Sequence, residues 1–410
     1  MRRLICVLSV AAGILVALGG IAASMCLSLV NLSASPGSAD LVSDTVAMAL
    51  GTIGLGCGAS LIWAGSSAAR GLPDKPFHMA AWAWWLMALL AVLGIGQAAF
   101  NARGPLALLS AFHLLAGVLA AALFLSLATG AAHRAEDERL PGVRAVAGSV
   151  AWGALGGAGI AMLLELALLA AVAAIVGFWL VATRPDLAAQ LRAWTMAQMF
   201  NRGPAPDWRP LAAWLRSPLV ALGALGLLSI VVPLIEETTK SLAVPLVGLS
   251  GTRLTPLRSF LVGASAGAGF AMLESILNGA AGLASPSSWA GVMLVRSGTA
   301  ALHCLASGLA GLAWQAFLAQ RQLAKSLAFF LAALALHGIW SAAASLSAIA
   351  TLVGQTGGVD RFWSAAAQVL ASGFMAALWL AVVLALPLIA RHLASSGHLA
   401  PVERTATSRL

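Results

Sequence analysis

Glu165, Glu236, Glu237 and Glu274 lie within or at the edge of long apolar runs, in a chain of 410 residues that holds only 14 acidic ones. A charged side chain at the centre of a bilayer costs at least about 2.5–3.5 kcal/mol to insert, so such residues are functional candidates by default. Glu236 and Glu237 are followed by Lys240 in the run Pro233-Leu234-Ile235-Glu236-Glu237-Thr238-Thr239-Lys240. On a helix the lysine is four residues from the first carboxylate and three from the second, so it can neutralise one and leave the other for chemistry. Two adjacent carboxylates in low dielectric resist carrying two charges at once, the condition a general base working near neutral pH requires. The alternative is a helix end with solvated charges.

Three further positions complete the set. Glu274 stands in Gly269-Phe270-Ala271-Met272-Leu273-Glu274-Ser275 with no cation nearby in sequence, so a charged partner must come from another helix, Arg296 being one candidate. His303 and His337 are each the lone histidine of an apolar run, and each has a serine four residues on, Ser307 and Ser341, on the same helical face. A single carboxylic acid or imidazole inside a membrane can equally serve as an interhelical hydrogen-bonding group. Taken together, a carboxylate pair, a third carboxylate and two imidazoles can activate a water. They can do so directly, or on zinc or another divalent metal held by Glu237, Glu274, His303 and His337.

The elements that must position these groups are membrane helices. Hydrophobic residues make up 60% of the chain and charged ones 9%, against roughly 25% charged in a soluble domain. Apolar runs of about 18 residues or more recur from end to end, each long enough to cross the hydrocarbon core. The predicted fold is all-α, a polytopic transmembrane bundle of about ten spans in the cell membrane, in contact with the lipid bilayer. The formal charge of +9 is scattered singly through loops and not gathered on a stripe, which argues against a nucleic-acid partner. Placed by the positive-inside bias, Arg2 and Arg3, the loops with Arg253, Arg258, Arg321 and Lys325, and the tail with Arg391 put both termini in the cytoplasm. The apolar stretch after Arg3 is longer than a signal-peptide core and reads as a retained span. Cys6, Cys26, Cys57 and Cys304 show no CxxC spacing and read as small apolar fillers.

Breaks in hydropathy divide the chain into an N-terminal accessory block of four spans (1–144), a long span or pair of spans with an amphipathic connector (145–207), a catalytic core (208–390) and a cytoplasmic tail (391–410). Gly156, Gly157 and Gly159 offer a break in the long run 145–183, and Trp194, Trp208 and Trp214 suit a connector lying along the interface. The polar loop 133–144 carries Glu136, Asp137 and Glu138. Outside the main cluster, Glu165 reads as an interhelical hydrogen-bonding acid or a proton-accessible carboxylate, and His113 as a structural histidine.

In order and spacing, the motifs EExxK (Glu236, Glu237, Lys240), FxxxE (Phe270, Glu274), a lone membrane histidine (His303) and HxxW (His337, Trp340) resemble the PrsW family of intramembrane proteases. That family is distantly related to the CAAX-prenyl endopeptidases and the bacteriocin-processing enzymes. The resemblance implies hydrolysis of peptide bonds in membrane-anchored substrates, with Glu236, Glu237, Glu274, His303 and His337 as catalytic residues and Lys240, Phe270, Trp340 and Ser341 in support. An anti-sigma-factor-like protein is the substrate class it implies. The family often has Asn where this chain has Ser275 and Ser341; if the second Asn donates to an oxyanion, Ser341 must do so with a weaker hydroxyl. A proton- or cation-coupled transporter is the competing reading, with buried Glu and His as a relay, and a catalytically inactive scaffold is a third.

Overall fold

The computed structural model describes residues 2–34, 41–132, 140–200, 214–215, 217–284, 286–355 and 361–396. The acidic trio Glu136 to Glu138, Trp208, Arg216 and the tail beyond residue 396 lie outside them. Eleven main helices carry the fold: α1 (Arg2–Ala34), α2 (Leu41–Ala69), α3 (Trp82–Asn101), α4 (Leu106–Ala131), α5 (Val143–Thr183), α6 (Pro185–Phe200), α7 (Pro218–Leu249), α8 (Pro256–Gly279), α9 (Trp289–Leu318), α10 (Leu323–Gln355) and α11 (Arg361–Ser396). All but α6 are long and apolar enough to cross a membrane, which makes ten candidate spans among the described residues. No strand is present there, and one isolated bridge joins Pro76 to Gly142.

The run 145–183 belongs to a single helix. Its glycines do not break α5; the segment Trp152–Gly157 widens into a π turn and the helix resumes at Ala158. A π turn keeps every backbone group bonded inside the chain, which a break in lipid would not. Helix α7 has the same device at Leu227–Val231, directly before the turn that carries Glu236. Short α6 shows no dominant apolar face, so its described part is not the amphipathic element expected there.

One end of the bundle is fastened by arginines. Arg144 donates from its backbone to Asp74 (3.1 Å) and from its side chain to the carbonyl of Leu72 (2.9 Å). Arg258 reaches the carbonyls of Leu140 (3.2 and 3.1 Å) and Arg253 (2.9 Å). The loop after α2 and the starts of α5 and α8 therefore share one end. The start of α8 is set by Thr255, whose hydroxyl accepts from the backbone of Arg258 (3.2 Å), with Pro256 at the first helical position.

At the centre, α8 is the most enclosed element, packed against α4, α5 and α9. A Cβ at Gly263 would meet the carbonyl of Ser307, and one at Gly267 the carbonyl of His303, so α8 and α9 run nearly backbone to backbone. Helix α4 is part of this core. The ring of His113 bridges to both neighbours: Trp289 donates to Nδ1 (3.1 Å), which leaves Nε2 to donate to the carbonyl of Ile276 (2.8 Å). With both ring nitrogens used and the residue fully buried, His113 is a packing histidine. The four cysteines are free.

Candidate active site

The five residues proposed for chemistry come from four helices and meet. Glu236, Glu237 and Lys240 occupy the turn of α7 after its π segment, Glu274 is on α8, His303 sits near the middle of α9 and His337 near the middle of α10. Glu237, Lys240 and His303 are fully enclosed, and Glu236 and His337 nearly so.

The centre of the cluster is the Lys240 ammonium. It lies 2.9 Å from Glu236 Oε2, 2.8 Å from Glu237 Oε1 and 2.8 Å from His303 Nδ1, and it stands 4.1 Å from the centroid of the Phe270 ring. The lysine thus binds both carboxylates, where the spacing suggested it would neutralise one. Three N–H donors on a single ammonium allow this, provided that a third acceptor, here Nδ1 of His303, comes from another helix. An ammonium is donor only, so Nδ1 of His303 accepts and Nε2 carries the proton, donating to Glu274 Oε2 at 2.7 Å. Glu274 Oε1 in turn accepts from Asn278 (3.0 Å) and forms an ion pair with Arg296 (2.9 Å).

The second imidazole is held by the second carboxylate. His337 Nδ1 donates to Glu237 Oε1 (2.8 Å), and Ser307 donates to Glu237 Oε2 (2.9 Å). That leaves His337 Nε2 with its lone pair, 3.8 Å from Glu236 Oε2. The two imidazoles stand edge to face with centroids 4.9 Å apart. Each ring is oriented by a carboxylate, the arrangement that fixes the tautomer of metal-binding histidines.

Glu236, His303 and His337 each offer a ligand atom within 4.8 Å of the others. One carboxylate and two imidazoles is the donor set of a His2Glu catalytic metal site. Three carboxylates facing one ammonium and one guanidinium also leave a formal surplus of negative charge, the sign that a bound cation requires. The residues present therefore fit a divalent metal, provided that Nδ1 of His303 gives up its bond to Lys240. The set differs from the one drawn from sequence, because Glu237 and Glu274 are engaged in orienting the imidazoles while Glu236 faces the shared space.

The supporting residues divide by contact. Phe270 packs on both Lys240 and His303. Trp340 is buried, and its ring lies over Gly298, fixing α10 against α9. Ser341 is half-buried one turn beyond His337. Sequence reading missed Trp152, whose indole donates to the carbonyl of Thr239 (2.9 Å) and so holds the turn carrying Glu236, Glu237 and Lys240 from the π segment of α5. A tryptophan among glycines beside a long apolar run is the only sequence signal of it. Glu165, on α5, lies within electrostatic reach of Glu236, Lys240, Glu274 and His337. Its buried Oε1 has no hydrogen-bond partner among the described residues, so the interhelical bond expected of it is not made through that atom.

A family model described as PrsW family intramembrane metalloprotease matches residues 141–384, more than half of the chain and all of the cluster. No curated protein and no solved structure matches.

Proposed function

Because the chain belongs to the PrsW family of intramembrane metalloproteases, we propose that the Glu/His/Lys cluster is its peptide-hydrolysing centre and that its substrates are membrane-anchored proteins, with anti-sigma-factor-like proteins as the class the family resemblance implies. The observation that carries this is the convergence of five costly polar side chains from four helices into one hydrogen-bonded set, with a Glu/His/His group able to hold a cation. Groups of this kind are costly in lipid when isolated, and meeting in one set lowers that cost.

Glu236, His303 and His337 would hold the metal, zinc being the ion whose donor preference they match best. When bound, such a cation supplies Lewis acidity, polarising a carbonyl and easing deprotonation of water. The chain's own residues do the rest. Glu237 keeps Nδ1 of His337 protonated and Nε2 free to bind. Glu274 does the same for His303 through Nε2; Nδ1, which accepts from the Lys240 ammonium at 2.8 Å, would bind the metal in exchange for that contact. Lys240 holds Glu236 and Glu237 in register against their mutual repulsion. Glu236 Oε1, which takes no hydrogen bond among the described residues, accepts the proton of the attacking water. The water oxygen adds to the scissile carbonyl, the C–N bond breaks, and the proton passes from Glu236 to the leaving amine. Ser341, one turn beyond His337, would donate to the developing oxyanion. The family association, the cluster's place midway along α9 and α10, and the clustered arginines at one end of the bundle also support a multi-pass cell-membrane protein with that end in the cytoplasm.

The test is cleavage of a panel of single-span reporter proteins in proteoliposomes, before and after chelation. Loss of cleavage on chelation, with recovery on added zinc, is expected. A wild-type protein that cuts no reporter while moving a solute in a proton-dependent way overturns the reading.

A further inference from the structure

The residues on either side of Lys240 in the chain, Thr239 and Ser241, are buried, and each is bound by an indole from a different helix. Trp152 of α5 donates to the carbonyl of Thr239 (2.9 Å), and Trp314 of α9 donates to the hydroxyl of Ser241 (3.0 Å). That hydroxyl donates in turn to the carbonyl of Thr238 (3.2 Å). Both indoles pack on one small cluster, made by Ala243 and Val244 of α7 with Val262 and Ala266 of α8.

This turn is one that its own helix does not fix on both sides. Regular helix in α7 stops at Ser241 and resumes at Ala243, and Pro245 has no N–H to offer the carbonyl of Ser241. The backbone ladder that holds a helical residue on its C-terminal side is therefore interrupted just after Lys240. The ammonium meets three acceptors at 2.8–2.9 Å, so a small rotation of the turn lengthens at least one of those contacts.

The surroundings of each indole match that task. In Trp152-Gly153-Ala154-Leu155-Gly156-Gly157, a Cβ at Gly156 would fall 2.6 Å from the Trp152 ring, and one at Gly153 would meet the carbonyl of Ala266. The first absence lets the indole lie along its own helix, and the second lets the π segment close on α8. A Cβ at Gly157 would touch the Cα of Lys240 at 3.4 Å, so the segment also lies against the turn itself. On α9, His303, Ser307 and Trp314 recur at spacings of four and seven on one face. They meet α7 at Lys240, Glu237 and Ser241. The helix face that supplies the imidazole supplies the second indole.

We propose that Trp152 and Trp314 are positioning residues of the hydrolytic reaction, a two-sided clamp that fixes the backbone at Thr239 and Ser241 and so aims Lys240 at Glu236, Glu237 and His303; this rests on the protease reading above. The glycine-rich π segment of α5 belongs to the frame of the active site, because it carries one arm of the clamp. Each indole acts through Lys240 and not on the substrate, so loss of its N–H lowers kcat and leaves KM unchanged.

The test uses the full chain in proteoliposomes with the single-span reporters. At position 152, and separately at 314, tryptophan is replaced by Phe and by its sulfur analogue, whose benzothiophene ring keeps the bicyclic shape and lacks only the N–H. The analogue should lower kcat per folded molecule at least about fivefold at either position. KM should stay within about twofold, and the unfolding midpoint in denaturant should not move. Phe should lower kcat at least as much; should it prevent folding, the analogue alone decides. Gly156→Ala, which crowds the Trp152 ring, should lower kcat by a similar factor. Ser241→Ala removes the acceptor of Trp314, and combining it with the analogue at 314 should cost no more than either change alone. Full kcat per folded molecule with both analogues, a rise in KM at constant kcat, or additive losses from Ser241→Ala and the analogue at 314 overturn the clamp, while wild-type cleavage keeps the protease reading standing. A wild-type protein that cuts no reporter sinks the protease reading and this role with it.

Discussion

Two helix pairs in this molecule pack in the same way and to different ends. In α1–α2 a Cβ at Gly13 would sit 2.7 Å from the carbonyl of Gly58, and one at Gly20 would sit 2.7 Å from that of Leu50. In α8–α9 the approach is closer still at Gly263, Gly267 and Gly311, against Ser307, His303 and Ser259. The first pair carries no Asp, Glu, Lys, Arg or His in residues 4–34 and 45–69, and its contact only joins two spans. The second carries Glu274 on one helix and His303 on the other, and the close approach of the backbones brings those side chains to 2.7 Å. Close packing of glycines is thus a general solution to helix association in lipid, where van der Waals contact replaces the hydrophobic effect. It brings polar side chains into contact only where such groups flank it.

That contrast can be broken most sharply at its chemical end. Glu237→Gln keeps shape but removes the charge that holds His337 and Lys240, so cleavage of single-span reporters in proteoliposomes should fall by at least about a thousandfold with insertion unchanged. His303→Ala should do the same. Wild-type rates in either variant would mean that the convergence is structural only. Lys240→Ala acts on both properties. It leaves two buried carboxylates uncompensated, and it should abolish cleavage while lowering resistance to denaturant by about 3–5 kcal/mol.

The comparison itself is tested by a matched pair. Gly267→Leu, whose side chain would meet the His303 carbonyl, should reduce cleavage about a hundredfold or more by prising Glu274 from His303. Gly54→Leu, also crowded against Gly20, should destabilise α1–α2 by about 1–3 kcal/mol and leave the cleavage rate per folded molecule unchanged. Equal activity losses in the two variants would show that the first pair also shapes the site. The smallest effect is expected at Ser341→Asn. An amide is a firmer donor than a rotating hydroxyl, so a gain of about two- to fivefold in kcat with little change in KM is expected; no change would place the oxyanion donor elsewhere.

The sequence alone determined a good deal of this. Composition and run length demand a membrane bundle, since only lipid can solvate so apolar a chain, and ten spans were countable from charged and Pro/Gly breaks. The rarity of Glu and His inside apolar runs picked out Glu236, Glu237, Glu274, His303 and His337, because membrane insertion makes each such residue costly, and their order carried the family resemblance. What the tertiary structure decided is who faces whom. Glu236 and Glu237 are neighbours in the chain, yet the helical turn between them aims Glu236 at the space it shares with His303 and His337, and Glu237 at His337 and Ser307. Lys240 gains its third contact from His303, 63 residues away. The π turns of α5 and α7, and the hold of Trp152 on Thr239, have no periodic signature, because a single wide turn leaves the apolar pattern of a helix buried or lipid-covered on every side undisturbed. A sequence lists the groups that lipid will not tolerate alone, and only packing decides how they satisfy one another.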